Sequence, residues 1–286
     1  MVKLKINIVS IYSVAKKEFE DNIRNKWITT LITIFVILTI ATSYFAGSRE
    51  ADSSSLGEME DTITVLLSIS VILIPLIAIM LGYATISGEC ESGSLYVVLA
   101  YPIRRREVLL GKFIGLGAVI VFSTIIGFGT GGIIIAVLAG TSEWTSYVVF
   151  IGLTILLGLL YLSVSIFFST LTSKRSTSLG LGVLIFFWSM IFGIILMAVY
   201  LGGGGSYDEL LTGETTFPNW MWWAILLSPM DMNQVAVLRA FGIEEVFGFS
   251  MEFPSFMTLS LLVTVQLIWI IVPLILAYYV FERRDI

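Results

Sequence analysis

The sequence predicts an all-α, polytopic membrane protein with six transmembrane helices, an N-terminal interfacial amphipathic helix and short outer-face helices between spans five and six. Three observations predict it. Of the 286 residues, 57% are hydrophobic and only 13% are charged, about half the charged fraction of an ordinary soluble domain. Six runs, at 27–48, 62–88, 113–142, 144–173, 176–207 and 253–281, contain no Asp, Glu, Lys or Arg, and a helix needs about 20 apolar residues to cross a ~30 Å hydrocarbon core. The basic residues gather on one side of the resulting topology.

The first element, residues 3–26, reads as an amphipathic helix. Ile8, Ile11, Tyr12, Ala15, Phe19 and Ile23 recur at helical spacing, with Lys16, Lys17, Glu20, Asp21 and Arg24 between them. Such a helix either lies on anionic lipid or packs as a soluble helix on the protein's own cytosolic loops. It is not a cleavable signal peptide, because its basic residues run to Lys26 and a full-length span follows.

Spans are expected near 27–46, 63–86, 113–139, 147–170, 179–201 and 257–281. Six is even, so both termini share a side. With the termini in the cytosol, 14 of the 16 basic residues fall inside, leaving only Arg49 and Arg239 outside, and 8 of the 21 acidic residues fall inside. The positive-inside rule selects that orientation. Pro75 and Pro273 interrupt the second and sixth spans as hinges or as static kinks. Gly111 and Gly115, and Gly127 and Gly131, are small-xxx-small pairs that read as close helix packing, within the subunit before between subunits. Gln266, Ser163 and Ser165 either face a central cavity or hydrogen-bond between helices.

The outer stretch 202–256 opens with Gly202–Gly205 and continues with an uncharged run, 215–230, too short to cross. Trp220, Trp222 and Trp223 crowd the start of that run, as rings at the headgroup level do. A helix lying in or dipping into the outer leaflet is expected there, then a second short helix with Asp231 as its N-cap.

Composition excludes several chemistries. Histidine is absent and Cys90 is the single cysteine, which removes an intramolecular disulfide, the commonest metal ligand and the usual general base. Met221, Met230, Met232 and Met251 form no tight ligand repeat. No metal and no cofactor are expected. An intramembrane enzyme has no candidate residues, and no span carries the ionisable side chain that coupled carriers usually keep.

The most patterned polar segment is 87–112. Ser92-Gly93 breaks the helix leaving the membrane, and Leu95, Val98, Leu99 and Pro102 mark one apolar stripe flanked by Glu89, Glu91 and Arg104, Arg105 and Arg106. It is either a knob for a groove in another protein or a re-entry loop whose arginines obey the positive-inside rule. Its order, E-x-E-x-G-[ST]-L and then Y-P-[IV]-x-R-R-E-V-L-L-G-K, resembles the loop after the second span in type-2 ABC exporter permeases, NosY-like branch. The likeness covers Glu89, Glu91, Gly93, Ser94, Leu95, Tyr101, Pro102, Arg105, Arg106, Glu107, Leu110, Gly111 and Lys112. Leu227–Asp231, LSPMD, resembles the proline–aspartate element of that branch, and together the similarity extends over nearly the whole chain.

The resemblance implies one ABC transporter permease domain over 1–286, with 87–112 as a cytosolic coupling loop. It implies a subunit that dimerises, with itself or a homologous permease, and is driven by two copies of a separate cytosolic ABC ATPase. The short helix at about Gly93–Leu99 would dock into that ATPase, with Glu89 and Glu91 at the contact and Arg104–Arg106 at the lipid or ATPase surface. The chain has no P-loop of its own, since Gly111-Lys112 is followed by Phe113 and Arg106 stands where the earlier glycine belongs. ATP hydrolysis is therefore expected in the partner and not here. The expected location is the plasma membrane of a bacterium or archaeon. The lipid bilayer is a partner, an extracytoplasmic protein at the acidic outer face is another candidate, and nucleic acid is not. A secondary transporter and a non-transporting structural membrane subunit are the alternatives. The substrate is not legible, beyond a preference for hydrophobic or amphipathic cargo.

Overall fold

The computed structural model describes residues 7–52, 57–95, 103–139, 144–205, 217–243, 245–246, 249–250 and 253–284. Ten helices are named here in chain order among them: α1 Ile8–Arg24, α2 Lys26–Asp52, α3 Gly57–Gly82, α4 Ser87–Ser92, α5 Arg105–Ala139, α6 Trp144–Leu171, α7 Arg175–Gly202, α8 Asn219–Ile225, α9 Pro229–Phe241 and α10 Leu259–Arg283. Two-residue strands Glu245–Val246 and Phe249–Ser250 pair antiparallel on the outer stretch. Six helices are long and apolar enough to cross a membrane, corresponding to α2, α3 with α4, α5, α6, α7 and α10.

The core is built around α6. Its Phe150, Leu157, Leu160, Tyr161, Leu162 and Ile166 are buried, because α3, α5, α7, α9 and α10 all pack against it. A helix apolar on every face belongs at such a centre. By contrast α7 leaves Leu184, Phe187, Ile191 and Ile194 exposed, apolar surface of the kind lipid covers. Ser163 donates to the Trp269 carbonyl of α10, Ser165 to the Ile79 carbonyl of α3, and Gln266 to the Asn233 side chain of α9. These three polar side chains thus bond between helices.

Small residues set the helix spacing. A Cβ on Gly115 would lie 2.9 Å from the Glu18 Cβ and still closer to the Ala15 carbonyl, and one on Gly111 would lie 2.7 Å from Val14. This pair seats α1 on α5. Gly127 and Gly131 seat α2 instead, against Phe35 and against Thr39 and Ser43. Both pairs therefore pack within the subunit. Helix α1 buries Ala15 against α5 while Ile8, Val9 and Tyr12 stay exposed, so it combines the two sequence readings: one face on the protein, one apolar surface left for lipid.

The outer stretch folds as a re-entrant hairpin. Helix α8 runs inward, Leu226–Ser228 turn, and α9 returns with Met230, Met232, Asn233, Ala236 and Val237 buried. The Ser228 hydroxyl donates to the Ser189 carbonyl at 3.3 Å, and Ser189 lies near the midpoint of the 28-residue α7. The tip thus reaches about half the depth of the bundle, a path open to non-spanning backbone only where protein surrounds it. Ser228, and not Asp231, caps α9: its hydroxyl accepts the Asp231 N–H at 3.4 Å, with Pro229 in the first turn. The cap moves because Pro229 has no N–H and fits the first helical position, which puts the preceding residue at the N-cap.

Gly115→Ala is expected to destabilise the protein by about 1–3 kcal/mol, the usual cost of overpacking, read as a lower thermal midpoint in detergent. Gly180→Ala, inside α7 where the added Cβ meets open space, should not lower the midpoint and should raise it slightly, since Ala favours a helix over Gly.

Candidate functional site

The face that carries α1 and the end of α10 holds the segment singled out above. Helix α3 ends at Gly82, a short turn follows, and α4 begins with its first N–H groups aimed at α6. The Ser169 hydroxyl accepts from the N–H of Ile86 and of Ser87, at 2.9 and 3.0 Å. Gly93 ends α4 at φ +73, a left-handed value that a residue with a Cβ adopts only under strain. Leu95 turns inward onto Ile86, Val108 and Phe281. Of the expected apolar stripe it is thus a buried support, while Val98, Leu99 and Pro102 lie outside the described residues.

Beside α4 lies a buried ion cluster. Lys112 of α5, its side chain 4% exposed, places Nζ 2.5 Å from Glu18 of α1 and 2.8 Å from Glu89 of α4. Two carboxylates satisfy one ammonium, and the second Glu89 oxygen has no hydrogen-bonding partner among the described residues. An isolated charge this deep would be prohibitive; paired and hydrogen-bonded it is tolerable, and removing one partner is what costs most. Glu107, 3% exposed, accepts the N–H of Asn7 at 2.9 Å and of Arg104 at 3.2 Å, so one carboxylate holds the starts of α1 and α5 together. Negative charge is favoured at both places by the unsatisfied N–H groups there.

The remaining charges cap other helix ends. Glu91 accepts the Arg175 N–H at the start of α7 at 3.0 Å and lies 3.8 Å from its guanidinium, which donates to the Gly88 carbonyl. Arg105 donates to the carbonyls of Phe281, Glu282 and Arg284 at the end of α10. Arg284 donates to those of Thr170 and Thr172 at the end of α6. Cations on terminal carbonyls and carboxylates on terminal N–H groups are the favourable polarity in every case.

The predicted residues therefore divide. Glu89, Leu95 and Arg105 are engaged inside the protein. Glu91 and Ser94 are exposed at the rim, and Arg104 and Arg106 are half-buried. Spacing in the sequence could not reveal Glu18, Arg175, Ser169 or Arg284 as parts of the same constellation; a basic residue inside an apolar run, as Lys112 nearly is, was the one available signal.

Known proteins resemble the chain over nearly its whole length. The model of the ABC-2 family transporter protein matches residues 12–286. The chain belongs to the ABC-2 transporter family. It is also 30% identical to the probable ABC transporter permease protein NosY of Pseudomonas aeruginosa, over 96% of this chain and 99% of that protein, and 30% identical to its counterpart from Stutzerimonas stutzeri, over 96% and 98%. As a member, the chain is a multi-pass transmembrane permease subunit of an ABC transporter, a kind of subunit that works with an ATP-binding partner.

One further polar group belongs to the ABC-2 bundle that the spans alone did not predict. Asp231 on α9 abuts Gly193 of α7, and its Oδ2 has no hydrogen-bonding partner among the described residues. An ionisable group thus reaches the depth of the bundle by way of the hairpin, so the argument against a coupled carrier from charge-free spans loses its force; family membership decides the matter instead. Met230 and Met232 pack in the main core and Met221 in a smaller apolar cluster, and Met251 lies outside the described residues.

Lys112→Met is expected to cost about 3–5 kcal/mol, since it leaves two buried carboxylates facing each other. The triple variant Lys112→Met, Glu18→Gln, Glu89→Gln should recover most of that loss. Thermal midpoints of the single and triple variants check both statements.

Proposed function

We propose that this permease subunit is half of an ATP-driven exporter of the plasma membrane, with both termini in the cytosol, coupled to a separate ATPase through the 87–112 loop. The observation that carries the reading is that the loop leaves the bundle on a rigid base: α4 is bonded to α6, to α7 and, through Lys112, to α1 and α5. A force applied at the rim of α4 would reach four elements without passing through a flexible link. The distribution of basic residues supports the orientation, because 14 of 16 fall on this face when it is cytosolic.

Within the proposed coupling set the roles differ. Glu91 and Ser94 would touch the ATPase, together with Val98, Leu99 and Pro102. Glu89, Gly93 and Leu95 would hold the contact in shape, and Arg104, Arg105 and Arg106 would anchor its return into α5. Two ATPase copies would serve two permease copies, identical or homologous. The exposed apolar side of α7 is surface for a second permease or for lipid. Export as the direction, an extracytoplasmic partner at the acidic outer face, and hydrophobic or amphipathic cargo all rest on family likeness and charge distribution.

Co-expression with the cognate ATPase is expected to give a complex whose hydrolysis depends on this loop. Glu91→Gln keeps an oxygen for the Arg175 N–H and should weaken docking several-fold, about the effect of one interfacial charge; Glu91→Lys should weaken it further, with membrane insertion unchanged. Equal affinity of the Glu91→Lys protein and the parent for the ATPase contradicts the coupling assignment.

A further inference from the structure

A cavity of about 190 Å³ lies between α7, α8 and α9. It begins one turn beyond the Ser228–Ser189 contact, at Gly193, and extends along α7 to Met197. Phe217 and Trp222 give it aromatic walls, and Met197 and Met221 add thioether side chains, which adapt to the shape of an occupant. Against this apolar lining stand the side chains of Asp231 and Gln234 from α9.

The carboxylate faces this space without a countercharge. No ion pair among the described residues involves Asp231. Its Oδ1 lies against Gly193, where a Cβ would come to 3.1 Å, and its Oδ2 has no hydrogen-bonding partner among the described residues. Nor does the surrounding sequence supply a cation. From Gly202 to Thr258, the stretch that holds α8 and α9, seven residues are acidic and Arg239 alone is basic. Arg239 stands two turns along α9 from Asp231, with its guanidinium over the Phe253 ring at 5.5 Å. The facing wall, α7, has its one basic residue, Arg175, at the opposite end.

An unpaired carboxylate in an apolar setting is costly, so an occupant that brings a positive charge is favoured over one that does not. Aromatic faces add to the attraction for a cation. A bare metal ion would find Asp231 on these walls and no second acidic side chain, and an acyl chain would leave the carboxylate unanswered. Size narrows the choice. An apolar cavity of about 150 Å³ takes up benzene, so this one admits a ring with a short aminoalkyl tail.

We infer that this cavity binds a small hydrophobic ammonium ion, its charged nitrogen on the Asp231 carboxylate and its apolar body between Phe217, Trp222 and Met197. The site lies within one subunit, and the inference requires neither the proposed orientation nor ATPase coupling.

The test is equilibrium dialysis of the full chain in phosphatidylcholine nanodiscs, with empty nanodiscs as the blank. The probes are phenethylammonium and its uncharged isostere, 2-phenylethanol. The parent is expected to bind phenethylammonium saturably, one per chain, and about tenfold more tightly than the alcohol, the effect of one cation pairing beside aromatic faces. Asp231→Asn keeps the shape of the side chain and the backbone bond to Ser228, and should abolish that preference. Met197→Trp, at a half-buried position on the cavity wall, fills the space without changing charge and should lower binding of both probes. Asp21→Asn, at an exposed position on α1, should alter neither. Equal affinity of the parent for the two probes, a preference that survives Asp231→Asn, or binding indifferent to Met197→Trp overturns the inference.

Discussion

A single lysine ammonium held between two carboxylates, away from water, is the constraint on which the rest of the α1-bearing face depends. Lys112 joins Glu18 and Glu89 across 94 and 23 residues of sequence. It does so beside the glycine pair that lets α1 approach α5 to van der Waals contact. Neither device suffices alone. Without the glycines the ammonium would not reach Glu18, and without the ion pairs the desolvated lysine would drive the helices apart. Around this centre, Glu91, Glu107, Arg105 and Arg284 each bond the terminal backbone groups of helices. Charge that composition alone would place in water is spent on satisfying helix ends.

The consequence is a stiff plate. Helices α1, α4 and α5 meet in the cluster, α6 and α7 are tied to α4, and α10 is tied to α5. Any movement imposed on α4 must either move these together or separate a buried charge from its partner. The opposite half of the bundle is built differently: a short hairpin enters to half depth and brings Asp231 and Asn233 into the interior, where Asn233 meets Gln266 of α10. One half is held by buried paired charges, whereas the other has no such ion pair among the described residues and leaves Asp231 Oδ2, Asn233 Nδ2 and Gln266 Oε1 without a partner there.

Much of this was legible in the amino-acid sequence, for identifiable reasons. Spans follow from runs without charge, since lipid tolerates nothing else, and the six helices match those runs closely. The interfacial helix, the glycine packing and the break at Gly93 rest on local rules of spacing and backbone conformation. What could not be read was tertiary pairing. Nothing in 87–112 says that Glu89 turns inward to Lys112 while Glu91, two residues on, stays at the rim and caps α7. Helical spacing separates those two side chains by about 200°, but which side is buried depends on α1 and α5. The cap of α9 was missed by three residues because proline chemistry, and not the carboxylate, decided it. The sequence left the short outer helix either lying in or dipping into the outer leaflet, because an uncharged run too short to cross is compatible with both; the Ser228–Ser189 bond shows that it dips.

The account depends on the α4 rim being the surface that the ATPase grips. Cys90 is the chain's single cysteine, half-buried in α4 between Glu89 and Glu91, so it reports on that surface without further engineering. Labelling it with a membrane-impermeant maleimide, in right-side-out and inside-out vesicles with and without bound ATPase, is the most direct measurement. The account predicts labelling only in inside-out vesicles, and protection when the ATPase is bound. Labelling from the external medium, or labelling from the cytosolic side at the same rate with and without ATPase, would contradict it.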